Sequence, residues 1–157
     1  MKTTKTNQIL LVLALLITSC INKSEVSDST QSAKYIVSES TESRGLPFSD
    51  AVIYDNIIYL SGKIGTTNEN KLAEGGIGPE TKQALTRIKE TLEANGSSMD
   101  NVIKCTCMLA DMGEWAAMNE IYTTFFPKNK PARSAFGASG LARGARVEIE
   151  CMAYVND

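Results

Sequence analysis

Apolar positions fall along this chain in changing rhythms, and the changes outline its organisation. An unbroken apolar run from Ile9 to Ile17 follows a basic start at Lys2 and Lys5. The run is too short to cross a bilayer core of about 30 Å as a helix, so residues 1–19 are expected to be a signal peptide. Residues 21–32 are mostly Ser, Thr, Asp, Asn, Gln and Glu, with almost nothing to bury, which predicts a flexible tether over 20–33. From Lys34 to the end, residues 34–157, the pattern is that of one folded domain.

Within that domain, strands are predicted at 35–37, 51–54 and 57–61, with a turn at Gly45-Leu46-Pro47 and a two-residue hairpin signal at Asp55-Asn56. Residues 66–78 are polar and glycine-rich and read as a loop; Gly75-Gly76-Ile77-Gly78 lacks the spacing of a nucleotide-binding fingerprint. Pro79 opens an amphipathic helix with Leu85, Ile88 and Leu92 on one face, closed at Asn95-Gly96. Residues 102–109 alternate as a strand. Asp111 and Glu114 then have the spacing of a capping box. The helix they start carries a core stripe of Trp115, Met118, Ile121, Tyr122 and Phe125, ended by Pro127. Strands at 132–137 and 147–155 complete the set. This order predicts an α+β layer: a mixed six-stranded sheet with two helices on one face and the other face free for a partner.

Composition narrows the chemistry. A chain of 157 residues suits one domain with appendages, and a net charge of −2 offers no footprint for nucleic acid. The absence of histidine removes Ser-His-Asp and Cys-His triads and every histidine-containing metal site. Acid–base chemistry must then use a carboxylate, lysine, tyrosine or cysteine.

The Ile17-Thr18-Ser19-Cys20 segment resembles a bacterial lipobox, which would make Cys20 the lipid-bearing first residue of a membrane-anchored envelope protein on the periplasmic side. A plain secretory signal with an incidental Cys20 is the alternative. Cys105, Cys107 and Cys151 remain in the domain, so at most one disulfide can form within it. Cys105 and Cys107 lie two apart in a strand and point the same way, which makes a bond between them awkward. The three read as small buried apolar residues, and their spacing matches no usual metal site.

In the last strand Val147, Ile149 and Cys151 point one way, while Glu148, Glu150 and Met152 point the other. Two carboxylates on one face must meet water, cations or a cleft, and Arg143 or Arg146 could pair with them. Arg133 follows Pro131 at the mouth of a strand, and its planar fork suits a small carboxylate.

Pro131-Ala132-Arg133-Ser134-Ala135-Phe136, Gly140-Leu141 and Val147-Glu148-Ile149-Glu150 resemble the carboxyl-terminal signature of the RidA/YjgF reactive-intermediate deaminase family. The similarity runs from about Gly45 to Tyr154, through Pro47-Phe48-Ser49-Asp50-Ala51, Leu60-Ser61-Gly62, Asn101-Val102-Ile103-Lys104 and Met118-Asn119-Glu120-Ile121-Tyr122. The resemblance implies a chorismate-mutase-like homotrimer whose uncovered sheet faces close into a central barrel, with pockets between adjacent subunits. It implies hydrolysis of small 2-imino or enamine acids to 2-keto acids and ammonia, with no metal or organic cofactor. Arg133 would hold the substrate carboxylate and Glu148 the attacking water. Phe48, Ser61, Gly62, Asn119 and Ala135 would line the pocket.

This chain departs from the family pattern at several points. Phe48 stands where many members have tyrosine, Lys63 where glutamine is common and Ala135 where many have cysteine. Leu141-Ala142-Arg143 lacks the usual proline. Lys63 is expected to bear on substrate choice, and the loop before the last strand to be reshaped. Two further readings stand beside the enzyme: a small-carboxylate binding protein using the same pocket without turnover, and a structural trimer displayed on a membrane. A ribonuclease reading gains no support from the sequence, which suggests neither a basic groove nor base-stacking aromatics.

Overall fold

Alternation over the last strand sets the architecture. In the computed structural model, which describes residues 32–155, β7 (Val147–Tyr154) buries Val147, Ile149, Cys151 and Ala153 and turns the residues between them to the opposite side. β5 (Val102–Leu109) runs antiparallel to it with Cys105, Cys107 and Leu109 buried on the same side. The rest of the sheet is β1 (Lys34–Ile36), β2 (Ala51–Tyr54), β3 (Ile57–Leu60), β4 (Lys63–Ile64) and β6 (Ala132–Gly137). The strand order is β1-β2-β3-β7-β5-β6, with β4 also paired to β7. Only β5 and β6 run parallel, as expected for strands joined by a helical crossover. The mixed α+β sheet is thus as anticipated, with seven strands in place of six.

Local chemistry explains the joints. Asp55 and Asn56 take φ of 51° and 59°, the left-handed pair that matches a two-residue turn to strand twist. The helix α2 (Ile77–Glu93) starts two residues before Pro79, because Gly76 at φ 90° ends the loop there and a proline is tolerated anywhere in the first turn. Its buried face is Ile77, Ala84, Leu85, Ile88 and Leu92. After it, Gly96 turns left-handed at φ 75° and the Ser97 N–H returns to the Leu92 carbonyl at 2.9 Å. The expected capping box does not form as such. Asp111 accepts from the Gly113 N–H at 2.7 Å and caps a single 3-10 turn, Met112–Glu114, while the Glu114 carboxylate accepts from Arg146 at 2.5 Å. The helix α3 (Trp115–Phe125) follows directly, with Met118 and Tyr122 buried.

Two elements were not legible in the pattern. The short helix α1 (Glu39–Ser43) is capped by the Ser38 hydroxyl, which accepts from the Thr41 N–H at 3.2 Å. Strand β4 has two residues, too few for any periodicity, and its Lys63 is buried. Gly65 just beyond it lies so close to α2 that an added Cβ would stand 2.4 Å from the Glu80 carbonyl oxygen. The buried Glu80 carboxylate in turn accepts from the Arg146 N–H at 2.8 Å, tying the start of α2 to the start of β7.

The cysteines fill the core between sheet and helices, as expected. Cys105 and Cys151 are register partners on β5 and β7 and are disulfide-bonded, and Cys107 is a buried free thiol pushed up to about 11 by burial. The opposite sheet face has no helix over it. Tyr54, Tyr59, Phe136, Met152 and Tyr154 stand there, each 39–49% exposed. The sheet of one chain is open and does not close on itself.

Candidate functional site

Glu148 owes its setting to three strands. Its neighbours Val147 and Ile149 anchor β7 in the core, which sends Glu148 to the uncovered face. There β4 pairs alongside, with Ile64 opposite Glu148. Gly62 makes the approach possible, since a Cβ on it would stand 2.0 Å from the Glu148 carboxylate oxygen. Partial burial, and then the like charge of Glu150, hold the Glu148 carboxyl above the usual carboxylate range. Among the described residues its side chain has no ion-pair partner. Arg143 instead bonds Asn70, and Arg146 bonds Glu80 and Glu114. The sequence had left those arginines open as partners, and they go elsewhere.

Glu148 and Gly62 line a cleft of about 360 Å³ with Phe48 at its edge. Ser61 is not part of this wall. Its hydroxyl donates to the Ser49 carbonyl at 2.6 Å and so fixes the loop that carries Phe48. Lys63 lines the cleft but is committed elsewhere. Its ammonium sits 2.6 Å from Asp50, with only 5% of the side chain exposed. Burial alone would raise the Asp50 carboxyl, yet hydrogen bonds from Lys63, the Ser38 N–H and the Thr41 hydroxyl hold it well below the usual range. Lys63 is therefore a structural cation that locks α1 and the β2 start to β4, and the expectation that it selects substrate gives way to this role.

Arg133 lies on the other side of the sheet. It is the register partner of Cys105 on β5, so it shares the helix-covered face, and Ala135 follows it opposite Cys107. Its guanidinium donates to the Asn119 side-chain oxygen at 2.6 Å and lies over the rings of Tyr122 at 4.6 Å and Trp115 at 5.9 Å. Trp115, Asn119 and Tyr122 are spaced i, i+4, i+7 on α3, one face of the helix. Of the aromatics expected to be core, Tyr122 is buried but Trp115 is 41% exposed at the start of the helix; both form a bed for the arginine, and the polar Asn119 inside that stripe was the available signal. Stacking leaves much of the fork free for a carboxylate.

The structure does not bring Arg133 and Glu148 together within one chain. β6 is an edge strand, and the two residues occupy opposite faces of the sheet. A guanidinium is held at one edge, and a carboxylate of raised pKa lies in a cleft on the other side.

The chain matches the family model described as endoribonuclease L-PSP over residues 41–155. It belongs to that family, known also as RidA/YjgF. Among relatives of this family chain is the mouse 2-iminobutanoate/2-iminopropanoate deaminase, 45% identical over 108 residues, which are 68% of this chain and 80% of that protein. Solved neighbours include a Rid-family protein of unknown function from Yersinia pestis, 32% identical with a TM-score of 0.73, the match covering 79% of this chain and 100% of that one. RidA from an Antarctic Psychrobacter is 34% identical with a TM-score of 0.66, over 69% and 89%. The fold of this RidA-family chain is that of its relatives.

The raised Glu148 pKa has a consequence for stability. A group whose folded pKa lies above its unfolded value contributes stability below the unfolded pKa and loses it as pH rises through the folded value. At pH 7 the charged Glu148 therefore works against folding. Glu148→Gln is expected to raise Tm at pH 7 by roughly 2 °C or more, with the gain vanishing below about pH 4. Calorimetry across pH checks this, and a lower Tm at pH 7 would contradict it.

Proposed function

We propose that this chain is a deaminase that hydrolyses small 2-imino and enamine acids to 2-keto acids and ammonia, working as a homotrimer whose sites join the Glu148 cleft of one subunit to the Arg133 edge of the next. The observation that carries this reading is the placement of Arg133 and Glu148 on opposite sheet faces, with Glu148 lining a cleft that Arg133 does not reach. An uncovered face rich in aromatics supports assembly, since a monomer rarely exposes so much apolar surface. Relatives named 2-iminobutanoate/2-iminopropanoate deaminase support the reaction class.

In this scheme the Arg133 fork takes the substrate carboxylate in a bidentate pair, steadied by Asn119 and the two rings. That fixes the imine carbon at the mouth of the Glu148 cleft. The Glu148 carboxylate accepts a proton as water adds to the imine carbon, giving a tetrahedral carbinolamine. Glu148 returns that proton to nitrogen and, as the C–N bond breaks and ammonia leaves, takes the hydroxyl proton, so that the carbonyl of a 2-keto acid forms. A carboxyl with a raised pKa is suited to these transfers.

Glu148→Gln is expected to lower kcat by about 10²-fold while still binding 2-oxobutanoate. Arg133→Ala should weaken that binding and kcat/KM together by about 10- to 100-fold, the scale of hydrogen bonds to a charged group. Glu150→Gln should stay close to the wild-type rate with its acidic limb moved to lower pH, because the like charge beside Glu148 is gone. The assay follows loss of an imine generated by an amino-acid oxidase, with binding by calorimetry. Wild-type protein that binds 2-oxobutanoate without hastening imine loss would instead be a carboxylate-binding protein.

We also propose that the domain is displayed in the cell envelope on a lipid carried by Cys20, reached through the tether at 20–33. The signal peptide, Cys20 and most of the tether lie outside the described residues, and the support is the Ile17-Thr18-Ser19-Cys20 pattern. Metabolic labelling with a palmitate analogue should mark wild type and not Cys20→Ala; an unlabelled wild type would end the proposal.

A further inference from the structure

The cleft beside Glu148 holds more positive charge than the deamination scheme uses. Arg44, Lys63, Arg87 and Arg143 line it, against Asp50 and Glu148. Lys63 and Asp50 cancel each other at 2.6 Å. Three guanidiniums then face one carboxylate.

None of the three has an ion-pair partner among the described residues. Arg87 donates to the Ile64 carbonyl at 3.2 Å and the Thr66 hydroxyl at 2.6 Å, both neutral acceptors. Arg143 donates to the side-chain and backbone oxygens of Asn70 at 2.5 and 2.6 Å, again neutral. Arg44 donates its backbone N–H to the Glu42 carbonyl, while its side chain is exposed and has no ion-pair partner among the described residues. Arg87 is half-buried, and burial, opposed by Asp50 and Glu90 and reinforced by Arg44, disfavours its charge. Like charges gathered on a partly desolvated wall are relieved by an anion.

The basic end is separate from the reacting end. Arg87 and Arg143 are held by Ile64, Thr66 and Asn70, and Glu148 forms no ion pair with either among the described residues. Leu46, Phe48 and Ile64 supply apolar surface to the same cleft, suited to methylene groups.

We propose that Arg44, Arg87 and Arg143 form a second anion site, and that the preferred substrate is a 2-imino acid bearing a carboxylate at each end of its chain. This rests on the deaminase reading above. With the first carboxylate on the neighbouring subunit's Arg133 and the imine carbon beside Glu148, the substrate side chain extends into the cleft, and a terminal carboxylate meets the guanidiniums. Arg87 is bound to the backbone of β4 and acts as the fixed member; Arg44 and Arg143 are the exposed ones.

Calorimetry on the full-length protein with two product ligands, 2-oxoglutarate and 2-oxobutanoate, tests this. Wild type should bind 2-oxoglutarate at least about tenfold more tightly, the scale of one added charge-assisted contact. Arg44→Ala and Arg143→Asn should each move that ratio toward unity by weakening 2-oxoglutarate; asparagine tolerates the left-handed backbone of Arg143, φ 62°. Equal or tighter binding of 2-oxobutanoate by wild type overturns the second site and leaves the deaminase reading standing, as does a preference that survives both substitutions. Failure of wild type to bind either keto acid overturns both.

Discussion

The grip on β7 from both edges is the constraint on which the rest depends. β5 pairs along one edge from Val102 to Leu109, while β3 and then β4 pair along the other. With both edges fixed and alternate residues buried without exposure, the strand has no freedom of register. A slip by one residue would send Glu148 and Glu150 into the core and Val147 and Ile149 into water. The break between β3 and β4 is placed so that Gly62 meets the Glu148 carboxylate. Burial of that carboxylate, and its raised pKa, follow from backbone pairing.

The same sheet separates Arg133 from Glu148. Parallel pairing of β6 to β5 puts Arg133 on the helix side, where α3 can offer it rings and an amide oxygen; antiparallel pairing of β7 to β5 puts Glu148 on the other. A single chain therefore does not bring its own Arg133 and Glu148 to one place, and on the proposed scheme the two would serve one substrate only across a subunit boundary. The unshielded aromatics on the Glu148 side and the edge position of β6 are what a chain would need to complete its site with a neighbour.

Much of this was legible in the sequence because it rests on short-range pattern. The alternation of residues 147–152, the stripe of α2, the Asp55-Asn56 turn and the Gly96 stop each carry their own local reason. What was missed depends on pairing between distant segments. Lys63 looked like a specificity residue until Asp50, thirteen positions earlier, was found against it. The Cys105–Cys151 bond follows from the β5–β7 register, which no spacing within either strand encodes. Strand β4 was too short to show a period. Arg133 and Glu148 could each be picked out, but their opposite faces became apparent only once β5 linked their strands.

Sharing of one site between two chains is the central claim, and mixing two crippled variants tests it most directly. Arg133→Ala and Glu148→Gln subunits, each nearly inactive alone, would be unfolded together at equal amounts and reassembled. A site is whole when its Arg133 comes from a Glu148→Gln subunit and its Glu148 from an Arg133→Ala subunit, one half times one half, so the mixture should recover about a quarter of wild-type imine hydrolysis. Activity no greater than the mean of the two separate variants, in assemblies shown to contain both, would contradict the account.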